Sequence, residues 1–227
     1  MATDETLLPG REKFASAAEY AYAALRREIV EGRFEPGRRM REIELSQLLG
    51  ISRTPTRQAL SRLELEGLLD LKPRAGLVVS TLDPHAVDEL YETRAALEGA
   101  AAGMAARHAM PRDLAALDVL IEEGERLVGT DAGRLSRHNR ELHEAIHQAA
   151  HNRYIVKSLQ ALTDAIALLG PTTLAHPDRA AVAQAQHAAI VAAIRARDDA
   201  AAERLARTHV LGALDLRRTI VGRAGST

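Results

Sequence analysis

The sequence predicts a mainly α-helical protein of two domains, because its two parts carry different residue patterns. The first part contains three short helical segments followed by two strand-like runs, whereas the part after Pro84 is rich in alanine and leucine, with helical periodicity and no strand-like segment. At 227 residues the chain is long enough for two hydrophobic cores. We therefore predict a first domain at 15–82 and an all-α antiparallel bundle at 83–222, between a flexible arm at 1–14 and a tail at 223–227.

Two helical segments open the first domain. The segment AAEYAYAALRREIVE, at 17–31, carries a broad apolar stripe, and Gly32 ends it. The segment ELSQLLG, at 44–50, is shorter and ends at Gly50, where the left-handed backbone conformation carries no steric cost. A second helix that begins directly after such a glycine turn is typical of a helix-turn-helix.

The next segment, ISRTPTRQALSRLELEGLL, has the composition of a helix that recognises DNA. Ser52 is the expected N-cap, and Pro55 lies in the first turn, where its missing N–H breaks no helical hydrogen bond. Four apolar side chains are expected to form the buried side: Ala59, Leu60, Leu63 and Leu65. Cations and hydroxyls gather toward the N-terminal end and are the candidate DNA contacts: Ser52, Arg53, Thr54, Thr56, Arg57 and Arg62.

A hairpin is predicted after this helix, from strand-like runs at 68–71 and 77–80. The residues between the runs, KPRAG, contain two cations, Lys72 and Arg74, and end in Gly76. A hairpin that follows a recognition helix is typical of a winged helix-turn-helix. Its basic tip suits contact with the DNA backbone or the minor groove.

Composition excludes several other classes of protein. The chain has no cysteine, so it forms neither disulfides nor thiolate metal sites, as expected in a reducing cytoplasm. No stretch approaches the ~18 uninterrupted apolar residues of a membrane span, and the start, MATDETLLPGREKF, is unlike a signal peptide. A net charge of −1 and 3% aromatic residues disfavour a polycation and a protein that stacks single-stranded bases on aromatic rings. We expect a cytoplasmic protein without membrane contact.

The run GRFEPGRRMREIELSQLLGISRTPTRQALSRLELEGLLDLKPRAG resembles the winged helix of the GntR family of bacterial transcription regulators. The resemblance covers roughly residues 15–80 and is most specific in SRTP, RQAL and LELEGLL. It implies that double-stranded operator DNA is contacted by Arg53, Thr54, Arg57, Arg74 and Gly76. Arg41, in the same run, joins the candidate DNA contacts.

Six helices are predicted in the second domain from its periodicity and from the residues that interrupt it. These breakers are prolines, glycines, an asparagine and an Asp198-Asp199 turn. The expected helices lie near 84–107, 111–128, 133–151, 153–169, 178–196 and 199–221.

Four polar residues of this bundle are candidate metal ligands. Asn139 and His143 are four residues apart and share a helix face. His187 and His209 each lie eleven residues from Asp198, so at ~1.5 Å per residue both stand roughly 16 Å from the turn that joins the last two helices. Three imidazoles and an amide oxygen that converge in this way suit Zn²⁺, Ni²⁺ or another divalent ion.

Four further histidines of the domain are expected to be surface or local polar residues: His138, His147, His151 and His176. His147 is the exception, because it lies one helical turn beyond His143 and could replace Asn139 as a ligand.

The segments NRELHEAIHQAAHNRY and AQHAAIVAAIRARDDAAAERLARTH resemble the FCD effector domain of one GntR subfamily, the FadR type, over roughly residues 85–220. The resemblance implies that His143, His187 and His209 are metal ligands, with Asn139 where the family usually has Asp. A neutral amide oxygen is a weaker ligand than a carboxylate, so metal affinity or selectivity is expected to change.

The same resemblance places an arginine, Arg94, in the effector cavity. A guanidinium beside a divalent ion can bind a small carboxylate in bidentate fashion, so Arg94 and Asn139 are the candidate effector contacts. The alternative is that Arg94 pairs with Glu98, its i+4 neighbour, on a solvated helix face.

These features favour a homodimeric, ligand-responsive transcription regulator, expected to be a repressor, that binds a pseudo-palindromic operator. Its effector would be a small carboxylate or sugar acid held at a divalent metal ion. One alternative is a metal-dependent hydrolase that uses the histidine cluster to activate water, although Glu144 points away from the His143 face and no other acid occupies a motif position. A weaker alternative is an architectural DNA-binding protein with a vestigial helical domain, which only Asn139 supports.

Overall fold

The computed structural model describes residues 10–170, 172–176 and 178–224, with the backbone alone for 220–224. Most of the predicted arm and the last three residues of the predicted tail lie outside these residues. The described chain divides into two compact units. One comprises the residues up to Leu82 together with Thr163–Gly170, and the other comprises Asp83–Leu162 and the described residues after Gly170.

The first unit is a winged helix-turn-helix, as predicted. Its helices are α1 (Ala17–Val30), α2 (Glu42–Leu49) and α3 (Arg53–Leu65), and its hairpin consists of β1 (Leu69–Lys72) and β2 (Gly76–Val79). The two strands are antiparallel, with Leu69 opposite Val79 and Lys72 opposite Gly76. Gly50 ends α2 at a φ of 63°, so the predicted glycine turn between α2 and α3 is confirmed.

Three local predictions for the first unit can be compared with the structure. Ser52 is the N-cap residue of α3, as predicted, although its side chain makes no capping hydrogen bond. Leu65 is 89% exposed, because it lies on the same side of α3 as the exposed Ser61 and Arg62 and not on the buried side with Leu60 and Leu63. Within the expected arm, Arg11–Lys13 form a 3₁₀ turn and Phe14 packs against Tyr20, while the flexibility of the arm stays a prediction.

The second unit consists of long α-helices without a strand among its described residues. Its helices are α4 (Pro84–His108), α5 (Pro111–Leu127), α6 (Ala132–Ala149), α7 (Arg153–Ala167, whose last turn belongs to the first unit), α8 (Arg179–Arg195) and α9 (Asp199–Ala224). Each end lies within three residues of its prediction, because prolines, glycines and capping residues mark most of them. Asp83, for example, accepts a hydrogen bond from the backbone N–H of Ala86 and so caps α4.

Small residues on α4 allow it to pack very closely on α9. A Cβ atom at Gly99 would lie 2.6 Å from Cγ of Arg207 and 3.2 Å from the backbone oxygen of Glu203. Ala102 and Ala106, on the same helix, are fully buried in the core of the bundle. The two helices are therefore in contact at the level of their backbones, with no room for a larger side chain at Gly99.

Candidate DNA-recognition surface and histidine site

The exposed N-terminal end of α3 carries two arginines that share one carboxylate. Nε of Arg53 donates to Oε1 of Glu42 at 2.6 Å, and Nε of Arg57 donates to Oε2 of the same carboxylate at 2.8 Å. Hydrogen bonds from Arg57 and then Arg53 lower the pKa of Glu42 to about 2. The α2 residue Glu42 thus holds both guanidiniums side by side while their side chains stay 61% and 66% exposed.

Most of the other predicted DNA contacts are also exposed: Arg41, Ser52, Thr54, Arg74 and Gly76. Arg41 pairs with Glu44 at 2.8 Å on α2. Arg74 and Gly76 lie at the tip of the wing, both with a positive φ. These positions are open to a DNA duplex, and their role in contacting it stays a prediction.

The last two predicted contacts, Thr56 and Arg62, also have partners within the protein. Thr56 is fully buried, and its hydroxyl donates to the backbone oxygen of Ser52 at 3.1 Å, so its prediction as a DNA contact is wrong. It occupies the inward side of the first turn of α3, where a threonine hydroxyl bonds back to the preceding turn. Arg62 donates to Glu66 at 3.0 Å and lies over the ring of Tyr22, 3.6 Å from its centroid, so its guanidinium already has partners.

Three buried histidines from three different helices converge inside the second unit. His143 on α6, His187 on α8 and His209 on α9 each offer a ring nitrogen, and these atoms all lie within 4.8 Å of one another. Nε2 of His187 lies 3.1 Å from Nε2 of His209. The three residues are at most 6% exposed. We call them the histidine trio.

A buried carboxylate, Glu98 on α4, organises one side of the trio. One of its oxygens lies 2.9 Å from Nδ1 of His143 and 2.9 Å from Nε2 of His147, and the other receives Nε of Arg94 at 3.0 Å. A carboxylate can only accept, so both imidazole nitrogens that face it carry their protons. The neutral His143 ring therefore directs a lone pair from Nε2 toward the other members of the trio.

An amide oxygen has the same effect on His209. Nδ1 of His209 donates to Oε1 of Gln186 at 2.9 Å, and Nη1 of Arg179 donates to that oxygen at 3.0 Å. The proton of His209 is thus on Nδ1, and its Nε2 is also a lone pair. Partners that fix the tautomer of a ligating histidine in this way are common around protein metal ions.

The electrostatics of the site keep the imidazoles neutral and the carboxylate ionised. Burial lowers the pKa of His187 to about 2 and the pKa of His209 well below its ordinary value. Burial also lowers the pKa of His143, against the opposing attraction of Glu98. Although burial alone would raise the pKa of Glu98, His143, the Arg94 guanidinium and the imidazole hydrogen bonds hold it well below its ordinary value. Neutral imidazole is the form that binds metal ions.

The donor set fits a divalent metal ion. Nε2 of His143 is buried without a hydrogen-bond partner among the described residues, and such an orphaned lone pair is what a metal ligand presents before the ion binds. The 3.1 Å between the other two nitrogens is close to the roughly 3.0–3.4 Å expected for two imidazoles on one Zn²⁺ with Zn–N bonds near 2.0–2.1 Å. Asn139 is half-buried one turn before His143, and its role as fourth ligand stays a prediction.

Three residues at this site were left with open interpretations by the sequence. His138 and His147 are local polar residues in the interior and do not lie on the surface: His138 bonds to the backbone oxygen of Leu120 at 2.8 Å, and His147 bonds to Glu98. Arg94 does pair with Glu98, but the pair is buried and not solvated. The sequence offers no acid at a motif position suited to a general base. Glu98 does lie beside the histidines, but it already accepts from three side chains and has little capacity left to act as a general base.

Sequence reasoning missed Glu98, Glu42, Gln186 and Arg179. Glu98 had one signal, its i+4 spacing from Arg94, but that spacing is equally common on solvated helix faces. His151 and His176, for which the sequence predicts surface or local polar positions, are exposed.

Comparison with known proteins assigns both units. The model of the family described as "Bacterial regulatory proteins, gntR family" matches residues 17–79, and the model of the FCD domain matches residues 89–212. The fold is similar to the solved structure of Escherichia coli McbR/YncC, with a TM-score of 0.79 and 21% identity, over 92% of this chain and 100% of that chain.

Two curated relatives are similar along most of their length. The chain is 30% identical over 190 residues to the uncharacterized HTH-type transcriptional regulator YdhC of Bacillus subtilis, covering 83% of this chain and 85% of that protein. It is 31% identical over 191 residues to a probable D-xylose utilization operon transcriptional repressor of Paenarthrobacter nicotinovorans, covering 81% and 80%.

A winged helix-turn-helix followed by this helical domain defines a DNA-binding transcription regulator and not an enzyme, so the hydrolase alternative has no support. The chain belongs to the GntR family of bacterial transcription regulators and carries the FCD domain. In the described part of the chain, no helix combines the length and apolar content needed to cross a membrane.

Proposed function

We propose that this regulator binds a pseudo-palindromic operator as a homodimer and represses transcription until an effector binds in the FCD domain. The effector is a small carboxylate or sugar acid, held beside a divalent metal ion at the histidine trio. One observation carries this proposal: Nε2 of His143 and Nε2 of His209 both present lone pairs. Glu98 accepts the Nδ1 proton of His143, and Gln186 accepts the Nδ1 proton of His209.

The histidine trio and Arg94 would have different roles in binding the effector. His143, His187 and His209 would hold the metal ion, with Asn139 or water completing its ligands. When bound, the ion supplies a concentrated positive charge for an effector carboxylate. Arg94, held by Glu98 at the edge of the same cluster, would orient that carboxylate through its remaining N–H donors.

The DNA side of the proposal depends on the two arginines at Glu42. One recognition helix reads only a few base pairs, so two copies related by a two-fold axis would be needed for a specific operator. Effector binding would favour one conformation of the helical domain and thereby change the affinity of the dimer for DNA.

The experiment starts from the full-length protein loaded with Zn²⁺ and from the same protein stripped with a chelator. Selection from a random duplex library is expected to enrich two inverted half-sites, and light scattering is expected to report a dimer. A panel of 2-hydroxy acids and sugar acids is then titrated against the protein bound to the selected DNA. We expect release of the DNA by at least one acid, and only from the metal-loaded protein. A single half-site, a monomer, or equal release without metal would contradict the proposal.

A further inference from the structure

Arg179, the first residue of α8, is a buried cation that the proposed function does not use. It is 8% exposed. Nη1 donates to Oε1 of Gln186 at 3.0 Å, and Nη2 makes a long contact of 3.4 Å to the backbone oxygen of His209. Its Nε–H is buried without a partner, and no carboxylate of the described residues lies within salt-bridge distance of it. A buried guanidinium without a counter-charge is costly, so the fold retains it against a free-energy penalty.

The position of Arg179 connects it with the histidine trio. The oxygen of Gln186 that receives Nη1 of Arg179 also receives Nδ1 of His209, so one atom joins the guanidinium to a proposed metal ligand. The positive charges of Arg179 and Arg94 both contribute to the lowered pKa of His209. The two arginines therefore approach the trio from different helices, α8 and α4.

The charges around the trio leave a positive charge that an anionic ligand would compensate. Arg94 is neutralised by Glu98, whereas no carboxylate among the described residues pairs with Arg179. The imidazoles of the trio are neutral. A divalent ion bound there would therefore add two positive charges to the single uncompensated charge of Arg179. A monocarboxylate effector would leave most of this buried charge uncompensated. A dianion would compensate most of it and would supply an acceptor for Nε of Arg179.

We propose that Arg179 is a second anion anchor of the effector site, and that the effector is a dicarboxylate whose distal carboxylate accepts the Nε–H of Arg179. The inference rests on the proposed function, because the first carboxylate binds at the trio and Arg94. It goes beyond that function by assigning Arg179 and by selecting dicarboxylates among small organic acids.

Matched pairs of acids test this specificity by isothermal titration calorimetry on the Zn²⁺-loaded full-length protein. Malate is compared with 2-hydroxybutyrate, and 2-hydroxyglutarate with 2-hydroxyvalerate, so that each pair differs only in the distal carboxylate. In wild type we expect at least one dicarboxylate to bind tenfold or more tightly than its partner. Arg179→Gln should remove this preference. Arg195→Gln, which removes an exposed arginine from the other end of α8, should retain it.

The outcomes separate the inference from the proposed function. Metal-dependent binding of both members of each pair with equal affinity would overturn the role of Arg179 and leave the proposed function standing. Retention of the preference in Arg179→Gln would also overturn it. Absence of metal-dependent binding throughout would overturn both. If the Gln variant does not fold, Arg179→Lys provides the test, since it keeps the charge and should keep a reduced preference, whereas a purely structural arginine would leave the ratio unchanged.

Discussion

Nε2 of His187 lies 3.1 Å from Nε2 of His209, and only one of these atoms can carry a proton. Because Gln186 accepts the Nδ1 proton of His209, the facing nitrogen of His209 is a lone pair, and His187 donates to it in the absence of metal. To bind a metal ion through Nε2, a neutral His187 would have to carry its proton on Nδ1 instead.

The metal should be lost when His187 is removed. His187→Ala takes away one of three nitrogen ligands, so we expect the metal content after dialysis against Zn²⁺ to fall from about one ion per chain to near zero. Elemental analysis measures it, and circular dichroism checks the fold. His85→Ala, on the exposed start of α4, is the matched control. Equal metal in the His187 variant and wild type would show that the trio is a structural polar cluster.

Glu98→Gln should lower the affinity of the histidine trio for the metal ion without removing a ligand. The carboxylate fixes the His143 tautomer, and loss of such a partner typically lowers metal affinity by about 10–100-fold. Competition with a chromophoric chelator measures the affinity. Glu144→Gln, on the exposed face of α6, should leave it unchanged. An unaltered affinity in Glu98→Gln would mean that the tautomer is set by other groups.

The metal-free protein should lose stability in mild acid partly through His187. Its pKa is about 2 in the folded chain against an ordinary 6.5, so below pH 6.5 the unfolded state binds a proton that the folded state does not. The folded state therefore loses up to about 1.4 kcal/mol per pH unit from this residue as the pH falls. Urea unfolding between pH 7 and 5, above the ordinary pKa of Glu98, measures the slope. His187→Gln should show a shallower dependence, and an identical slope would contradict the assignment.

Operator binding should depend on Arg57. Removal of a base-contacting arginine costs about 1–3 kcal/mol, so Arg57→Ala should weaken operator affinity by roughly one to two orders of magnitude, with binding that falls steeply with salt in wild type. Gel-shift titration measures it, with Arg153→Ala in the second unit as control. Unchanged affinity would remove Arg57 from the DNA contacts.

Glu42→Gln should strengthen binding to unrelated DNA and so lower the specificity for the operator. With the shared carboxylate gone, Arg53 and Arg57 lose their internal partner and a negative charge is removed from the DNA-facing surface. We expect several-fold tighter binding to unrelated duplex DNA and a smaller ratio of operator to unrelated affinity. Fluorescence anisotropy with both duplexes measures the ratio, and an unchanged ratio would contradict a role for Glu42 in positioning the arginines.

Patterns that depend on one element were predictable here, and those that depend on the packing of several were not. Gly50, Pro111 and Asp83 mark helix ends through their own backbone preferences, so the ends could be placed from the sequence. The convergence of His187 and His209 followed from their equal distance to one turn. The burial of Thr56 and of Glu98 depends on which helix face the neighbours cover, and a single helix does not encode that information. Leu65 shows the converse, since it is an apolar residue that lies on the solvent-facing side of α3 and stays exposed.

Because α4 packs closely on α9 at Gly99, a small tilt of α4 at this point displaces its distant N-terminal end. The helix is about 37 Å long, and the segment from its first residue to Glu98 spans roughly 21 Å. Because α4 and α9 touch at their backbones there, they can tilt together more easily than they can slide apart. A tilt of about 5° around Glu98 would move the start of α4 by roughly 2 Å. A tilt this small leaves the hydrogen bonds within α4 intact. At Asp83 it nevertheless produces a displacement large enough to break a hydrogen bond.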